Sequence, residues 1–434
     1  MAVEAGRLMN DAPPTVADFE ALERTGRDVA LGILGRLVAQ RLNADRSDTR
    51  ASQACDCGAK ARYVDRREKT FTTVFGRMTL ERAWYHCRNC DHGFSPRDRA
   101  LGFGGGSLSP ATRRMAGIAA AETSFGRASK VLRELTGLTL HAKQVERHAE
   151  ALGRDIARDE LEAVESAPSA AQTLYVGLDG TGIPVRKSET VHRTGKQADG
   201  SAKTREVKLV TVWSAERLNA CGTPCRDADS VSFNAAIESI ASRDTDRTAS
   251  PFAARVLREL KRRGFGQATR RVVLGDGAAW IWNFADEHLP GALQIVDLFH
   301  AKEHIFEAAK GIYGPDSDLA AQWGKARRDE LDRDGPDPVI AELTRHANRC
   351  DVARKTLDYF TNNRKRMDYP KFRSQGLCIT TGVVEGACKS VIGNRLKRGG
   401  MHWTVDGANA IIALRCALAS NRFDDYWERQ AYTS

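Results

Sequence analysis

The spacing of apolar residues changes period along this chain, and the changes divide it. Phe19, Leu22, Val29, Leu31, Ile33, Leu34 and Leu37 recur at roughly helical intervals, predicting one amphipathic helix up to about Leu42 for core packing or dimer contact. Before it, a stretch with Asn10-Asp-Ala-Pro-Pro14 reads as a flexible start, and Ala44–Arg50 reads as a linker. Between Cys55 and Cys90 the pattern alternates around a Phe75-Gly76 turn, with Met78, Leu80 and Trp84 on one face of the returning strand. A glycine-rich joint, Leu101–Ser107, comes next. Ser109-Pro110 then opens a helix over about 110–121, followed by a second over about 124–136, a Gly137-Leu-Thr-Leu140 turn and a third helix to about 160.

After a short Ala-Ser-Pro linker near 167–171, the pattern becomes that of buried strands alternating with helices. Tyr175–Leu178, Ile183–Val185, Val207–Trp213, Arg271–Leu274 and Leu293–Asp297 read as strands. A basic excursion from Arg186 to Arg205 reads as a hairpin tip. Helices are expected around Phe252–Arg263 and from Trp280, which indicates a mixed α/β layer. From about 301 to 378 the chain reads as helical and polar, and a final apolar helix covers Ala408–Ala419.

Acidic residues interrupt this pattern at telling places. Asp179 follows the apolar run Tyr175-Val-Gly-Leu and precedes Gly180-Thr-Gly182; Asp276 follows Arg271-Val-Val-Leu-Gly and precedes Gly277. Asp-Gly between apolar runs is also the commonest type I′ hairpin signal, so Asp179 alone is equally a turn residue. A third acid, Glu385, lies in a segment where Thr380 or Thr381 can cap a helix and Lys389 falls on the same face. Val384, Cys388 and Val391 form a stripe that can pack on a sheet with Glu385 at its flank. Two Asp at strand ends and a Glu on a covering helix can hold Mg²⁺ or Mn²⁺. Two such ions about 3.5–4 Å apart activate a water or a 3′-hydroxyl and stabilise the leaving oxygen of an in-line phosphoryl displacement.

In order and local context, Asp179, Asp276 and Glu385 resemble the acidic triad of DDE insertion-sequence transposases, in particular the ISKra-type group related to Mutator-like transposases. The resemblance runs from about residue 50 to 425. It implies an α/β fold: a ribonuclease H-like catalytic core over 170–425 with a helical insertion at about 301–378. A zinc-ribbon-like module (51–100) and a helix-turn-helix module (101–165) precede that core, after an N-terminal helix and linker (1–50). It further implies binding to terminal repeats and target DNA as double strands, metal-dependent cleavage and strand transfer, a homo-oligomer, and a cytoplasmic, nucleoid-associated bacterial location. Asp297 and His300 match a D-x-x-H element of the Mutator-like branch and would, with Lys389, orient the ligands or engage DNA.

Composition agrees with such a partner without requiring it. Lys and Arg number 66 against 56 Asp and Glu, a net charge of +10, which favours a polyanion and also suits ordinary solubility. With 434 residues and 41% hydrophobic content a sizeable core is available. No apolar run reaches membrane-spanning length, and the start lacks a signal-peptide pattern. Ten cysteines then read as thiols or ligands, not disulfides. Cys55, Cys57, Cys87 and Cys90, paired across the predicted hairpin, suit a structural Zn²⁺, although one residue between Cys55 and Cys57 is unusual and His86 or His92 can replace a thiol. Cys221 and Cys225 have ligand-like spacing but no matching second pair.

On the third helix, Val145 and Leu152 are expected to face inward. His141, Lys143, Gln144 and Arg147 are then expected to face out, as for a recognition helix. After Glu385, Arg395, Lys397 and Arg398 are expected at phosphates and Trp403 against a base, the rival being a basic loop over a buried Trp. Two other functions are open. His300-Ala-Lys-Glu303-His304 has the H-x-x-E-H pattern of a zinc metallopeptidase, without an evident third ligand. A non-catalytic DNA-binding derivative of a transposase needs only the N-terminal modules.

Overall fold

The computed structural model describes residues 16–104, 106–163, 171–191, 193–195, 197–198, 200–220, 222–240 and 249–432. The expected flexible start, most of the linker near 167–171, Cys221 and part of the basic excursion lie outside the described residues. The chain forms two compact units, one reaching to Asp155 and including the segment from Phe423, the other spanning Ile156–Arg422. No helix among the described residues is long and apolar enough to cross a membrane.

The first unit opens with helix α1 (Val16–Ala44), followed by a four-stranded antiparallel sheet of β1 (Ser52–Ala54), β2 (Lys60–Thr73), β3 (Gly76–Cys87) and β4 (His92–Phe94). The β2–β3 turn falls where Phe75-Gly76 placed it. Gly76 takes a φ of 96°, and the Thr73 hydroxyl accepts from Phe75 N and donates to Gly76 O. Phe71, Met78 and Leu80 pack with Phe103 under α1, while Ala61, Ala83, Tyr85 and Cys87 bury a second cluster toward the cysteine end. Trp84 departs from the expected face: it is only half-buried, beneath the Arg67 guanidinium at 4.7 Å, because the buried side of β3 switches between Arg82 and Ala83.

Helices α2 (Pro96–Ala100), α3 (Pro110–Glu122), α4 (Phe125–Thr136) and α5 (Ala142–Glu162) complete this part of the chain. Ser109 caps α3 through Thr112 N with Pro110 at its first position, Ser124 caps α4, and Gly137 ends α4 in the left-handed conformation at φ 75°. The C-terminal helix Phe423–Tyr432 belongs to the same unit, with Asp424 paired to Arg114 and Arg113 over the Trp427 ring.

The second unit is built on a five-stranded sheet. Its strands are β5 (Thr173–Pro184), β6 (Thr204–Ser214), β9 (Ser232–Ala236), β10 (Arg270–Gly275) and β11 (Leu293–Val296), in the order β11-β10-β5-β6-β9. A small ribbon of β7 (Arg217–Leu218) and β8 (Pro224–Cys225) lies between β6 and β9 in sequence. β5 is central. It pairs antiparallel with β6 from Leu174↔Ser214 to Pro184↔Thr204, but parallel with β10 only over Thr173–Gly177. The two strands expected on either side of Asp179-Gly180 are therefore one, and the hairpin alternative is overturned: Asp179 pairs with Leu209 inside a continuous ladder.

Helices α6 (Pro251–Arg262) and α7 (Ala279–His288) flank β10 in sequence. Then α8 (Leu298–Tyr313), α9 (Asp318–Asp334), α10 (Pro336–His346), α11 (Asp351–Asn363) and α12 (Tyr369–Ser374) form the helical stretch expected over about 301–378. α13 (Gly382–Ala387) continues as a π-helical segment, Cys388–Gly393, and a last turn, Asn394–Leu396; α14 (Val405–Ala419) follows. Buried charge is balanced within this unit. Glu259 is fully buried, its carboxylate met by Arg422 at 3.2 Å and Arg262 at 2.8 Å, and these guanidiniums hold its pKa below the ordinary value despite its burial.

Candidate functional site

Asp179 sits where β5 loses its parallel neighbour. β10 ends at Gly275, and the next residue is Asp276, so neighbouring strands deliver the two carboxylates side by side. Asp179 Oδ1 accepts from Gly180 N at 2.6 Å, and Oδ2 is 3.1 Å from the Cys388 thiol, its donor. Burial pushes its pKa above the ordinary value; the thiol and amide bonds oppose that shift, and the negative charge of Asp276 adds to it. Asp276 Oδ1 accepts from Ala278 N at 2.8 Å, and the Tyr359 hydroxyl donates to its carbonyl at 2.8 Å. Tyr359 lies so close over the turn that a Cβ on Gly277 would fall 2.4 Å from its ring, and Gly277 also has φ of 100°. Only glycine fits there.

The helix carrying Glu385 comes equally close to β5. A Cβ on Gly177 would be 2.1 Å from Val384 Cγ2, so that glycine is what lets α13 settle beside Asp179. Val384 and Cys388 are buried as the stripe predicted, and Cys388 contacts Asp179 itself. Glu385 is more than half exposed, with Oε1 2.5 Å from Lys389 Nζ. The three acids are thus on adjoining elements, but among the described residues they do not bring one carboxylate oxygen each within 4.8 Å of one another.

Asp297 joins these elements. It caps α8 by accepting from His300 N at 3.0 Å, and its other oxygen accepts from Thr381 Oγ1 at 2.6 Å and from Thr381 N. Of Thr380 and Thr381, the two candidate caps, Thr381 holds the cap position, but its hydroxyl is committed to Asp297 and makes no capping bond. Those bonds hold the Asp297 carboxyl below its ordinary pKa against burial. His300 Nδ1 is 3.5 Å from Asp297 Oδ1, at ion-pair distance, and the charge of Asp297, with Asp276 and Glu303 behind it, pushes the imidazole up to about 9. His300 is therefore a cation at neutral pH, near both candidate acids.

The H-x-x-E-H pattern does not assemble. His300 turns to Asp297, His304 packs on the Tyr359 ring at 4.1 Å, and among the described residues no third ligand joins them. Two expectations downstream of Glu385 also give way. Arg395 is fully buried over the Trp403 ring at 5.0 Å, with Nη1 3.2 Å from Met401 Sδ. Trp403 is buried as well: its Nε1 donates to Leu396 O, and its backbone joins the end of β5 through Pro184 O and Arg186 N. Neither can meet nucleic acid without unfolding this segment. Lys397 and Arg398 are exposed, and Lys397 Nζ is 2.5 Å from Thr181 Oγ1, two residues beyond Asp179 on the same face of β5. The sequence pattern marks none of Cys388, Thr381, Tyr359 and Thr181 as a site residue; Cys388 enters it only through the Val384-Cys388-Val391 stripe and Thr381 only as a candidate cap.

A second cluster lies in the other unit. Cys55, Cys57, Cys87 and Cys90 bring their Sγ atoms within 4.8 Å of one another, with Cys55–Cys90 and Cys57–Cys87 each at 3.6 Å. Tetrahedral Zn²⁺ with Zn–S of about 2.3 Å sets S···S distances of roughly 3.8 Å, so the quartet is compatible with a structural zinc ion. The amide of Ala59, with Asn89 and neighbouring thiols, lowers the Cys57 thiol to about 6, which makes it a thiolate at neutral pH. The short Cys55-Asp-Cys57 spacing closes through a turn with Gly58 at φ 85°, and neither His is needed: His86 pairs with Asp91 and His92 stacks on Phe94.

On α5, Val145 and Leu152 are buried, Lys143 and Arg147 are exposed, and Gln144 is half-exposed. Gln144 Oε1 accepts from His141 N at 3.0 Å, closing the helix start, and Lys143 pairs with Glu146.

No family model matches this chain, and no curated protein matches it. Among solved structures, it has a likeness to the Drosophila P element transposase strand transfer complex, at 11% identity and a TM-score of 0.25, over 73% of this chain and 80% of that one. A likeness at this level decides neither fold nor function.

Proposed function

We propose that this protein is a DDE-type DNA transposase with a ribonuclease H-like core, whose reaction centre is Asp179, Asp276 and Glu385. The observation that carries the reading is the pair Asp179 and Asp276, side by side where β5 leaves its parallel neighbour, with the Glu385 helix packed against β5 through Gly177. The strand order β11-β10-β5-β6-β9, with an antiparallel half and a parallel half meeting at β5, supports the same core.

The donor set suits divalent cations. Asp179 and Asp276 are hard oxygen ligands, and among the described residues neither forms an ion pair with Lys or Arg. Burial and mutual repulsion leave Asp179 in want of positive charge. When bound, Mg²⁺ or Mn²⁺ would supply an activated water or 3′-hydroxyl and neutralise charge on the phosphate. The chain's own part is placement. Asp297 holds the start of the Glu385 helix through Thr381, Cys388 holds one oxygen of Asp179, and cationic His300 adds positive charge near both acids. Lys389 keeps Glu385 paired until a metal competes for it. Lys397, tied to Thr181, stands one step along β5 for a phosphate oxygen.

In this reading α3–α5 contact duplex DNA at the terminal repeats through Lys143, Gln144 and Arg147, the cysteine module holds zinc, and the protein acts as a homo-oligomer. The test is Mg²⁺- or Mn²⁺-dependent cleavage of DNA carrying the ends that flank its own gene, comparing wild type with Glu385→Gln. Cleavage by wild type alone supports the assignment. Binding by both proteins with cleavage by neither favours a DNA-binding derivative.

A further inference from the structure

Past Glu385 the helix does not continue as an α-helix. Cys388–Gly393 is wound as a π-helix, a form that appears mostly as single turns inside α-helices and frequently at functional sites. The wider turn has a geometric consequence. In a regular α-helix the nine steps from Cys388 to Lys397 rotate through about 900°, placing Lys397 about 180° away from Cys388. A π turn spends one extra residue on its loop, so nine steps act as about eight, and the separation falls to about 80°. Cys388 reaches Asp179 and Lys397 reaches Thr181, both on one face of β5, as the smaller angle requires.

A π turn also loosens the carbonyl ladder, and here a buried cation binds the carbonyls. Arg415 lies in α14, where nearly every neighbour is buried and apolar. Its Nε donates to Val391 O at 2.6 Å and its Nη2 to Ser390 O at 2.6 Å, both inside the π segment. A guanidinium in such surroundings is tolerated only when its donors are used. We infer that Arg415 is a positioning residue that holds the π turn, and that the π turn delivers Lys397 to the Asp179 side of β5. That Lys397 then serves a phosphate rests on the proposed function; the geometry of the turn does not.

Deleting Ser390 removes the extra residue and leaves eight α steps, so it should keep Lys397 in place and make Arg415 dispensable. The experiment follows acylation of Lys397 and alkylation of Cys388 by peptide mass spectrometry in the full-length, zinc-loaded protein, with circular dichroism as the folding check. Arg415→Ala should raise both labelling rates several-fold. The Ser390 deletion removes one of the two carbonyls that Arg415 binds, so it is made together with Arg415→Ala, and this double variant should return both rates toward wild type. If Arg415→Ala does not fold, Arg415→Lys, whose single nitrogen lacks the guanidinium fork that spans the two carbonyls, takes its place. Unchanged labelling in the Arg415 variant, or a double variant that still exposes Lys397, overturns the inference. DNA cleavage measured alongside should fall about tenfold in the Arg415 variant and recover in the double variant. A wild-type protein that cuts no DNA would refute the proposed function, while the labelling pattern would still decide the role of Arg415.

Discussion

Cys388 Sγ lies 3.1 Å from Asp179 Oδ2, so a thiol on the covering helix is the donor to a carboxylate that burial pushes toward protonation. A thiol is a weak donor, and losing one such bond costs about 1 kcal/mol, roughly fivefold in rate if the bond acts in the transition state. Cys388→Ala should slow metal-dependent DNA cleavage by about that factor, and Cys388→Ser by less, with DNA affinity unchanged. Equal rates in both variants and wild type would leave the thiol a packing group only.

Asp179 also bears on stability. A carboxyl whose folded pKa is raised contributes its full stability below its ordinary pKa and loses it as pH rises toward the folded value, so at neutral pH its ionised form weighs against folding. In metal-free buffer at neutral pH, Asp179→Asn should melt a few degrees above wild type. Mg²⁺ should raise the melting temperature of wild type and not that of the variant. The reverse order in calorimetry would mean that the positive charge of His300 outweighs the cost of burying the Asp179 carboxylate.

How much of this was legible in the sequence can be argued from the same residues. Alternation and helical spacing located the β2–β3 hairpin, the helices of the first unit and the long helical stretch, because burial sets those periods. The Asp-Gly at 179–180 misled: as a local signal it means a turn, and only pairing with distant β6 makes it mid-strand. Basic residues near Trp403 looked like a surface, yet Arg395 and Trp403 are inside, because the end of β5 binds the Trp403 backbone. The contacts of Thr381 with Asp297 and of Arg415 with the π turn join residues far apart in sequence, so no local pattern could announce them.

His300 and Asp297 set a pH window. His300, raised to about 9, contributes stability that is complete below its ordinary pKa near 6.5 and is lost as pH rises through about 9. Asp297, lowered, contributes stability that is present above its ordinary pKa and lost as pH falls through its folded value. Denaturant midpoints of wild type should therefore fall between about pH 6.5 and 9, and that slope should flatten in His300→Gln. A slope unchanged in His300→Gln would show that His300 is not charged in the folded protein.

Chelation should act on one unit. If the cysteine quartet holds zinc, binding free energy there is folding free energy, so a strong chelator should release one zinc per chain and unfold the β2–β3 module first. Cys57→Ser should do the same without chelator. Full protection of β2 and β3 amides in hydrogen exchange after zinc removal would show that the module stands on its hydrophobic clusters alone.

The basic segment after Glu385 separates packing from contact. Trp403 is buried with its indole nitrogen on Leu396 O, so Trp403→Ala should destabilise by about 3–5 kcal/mol. Trp403→Phe keeps most of the packing and loses one hydrogen bond, about 1 kcal/mol, and its DNA affinity should match wild type. Lys397 and Arg398 are exposed, and replacing either with Ala should leave stability within about 0.5 kcal/mol. Each lost phosphate contact should reduce the slope of log affinity against log salt by about 0.9. Fluorescence anisotropy over a salt series separates the two cases: weakened DNA binding by Trp403→Phe with an unchanged melting temperature would put the indole at the DNA, contrary to its burial.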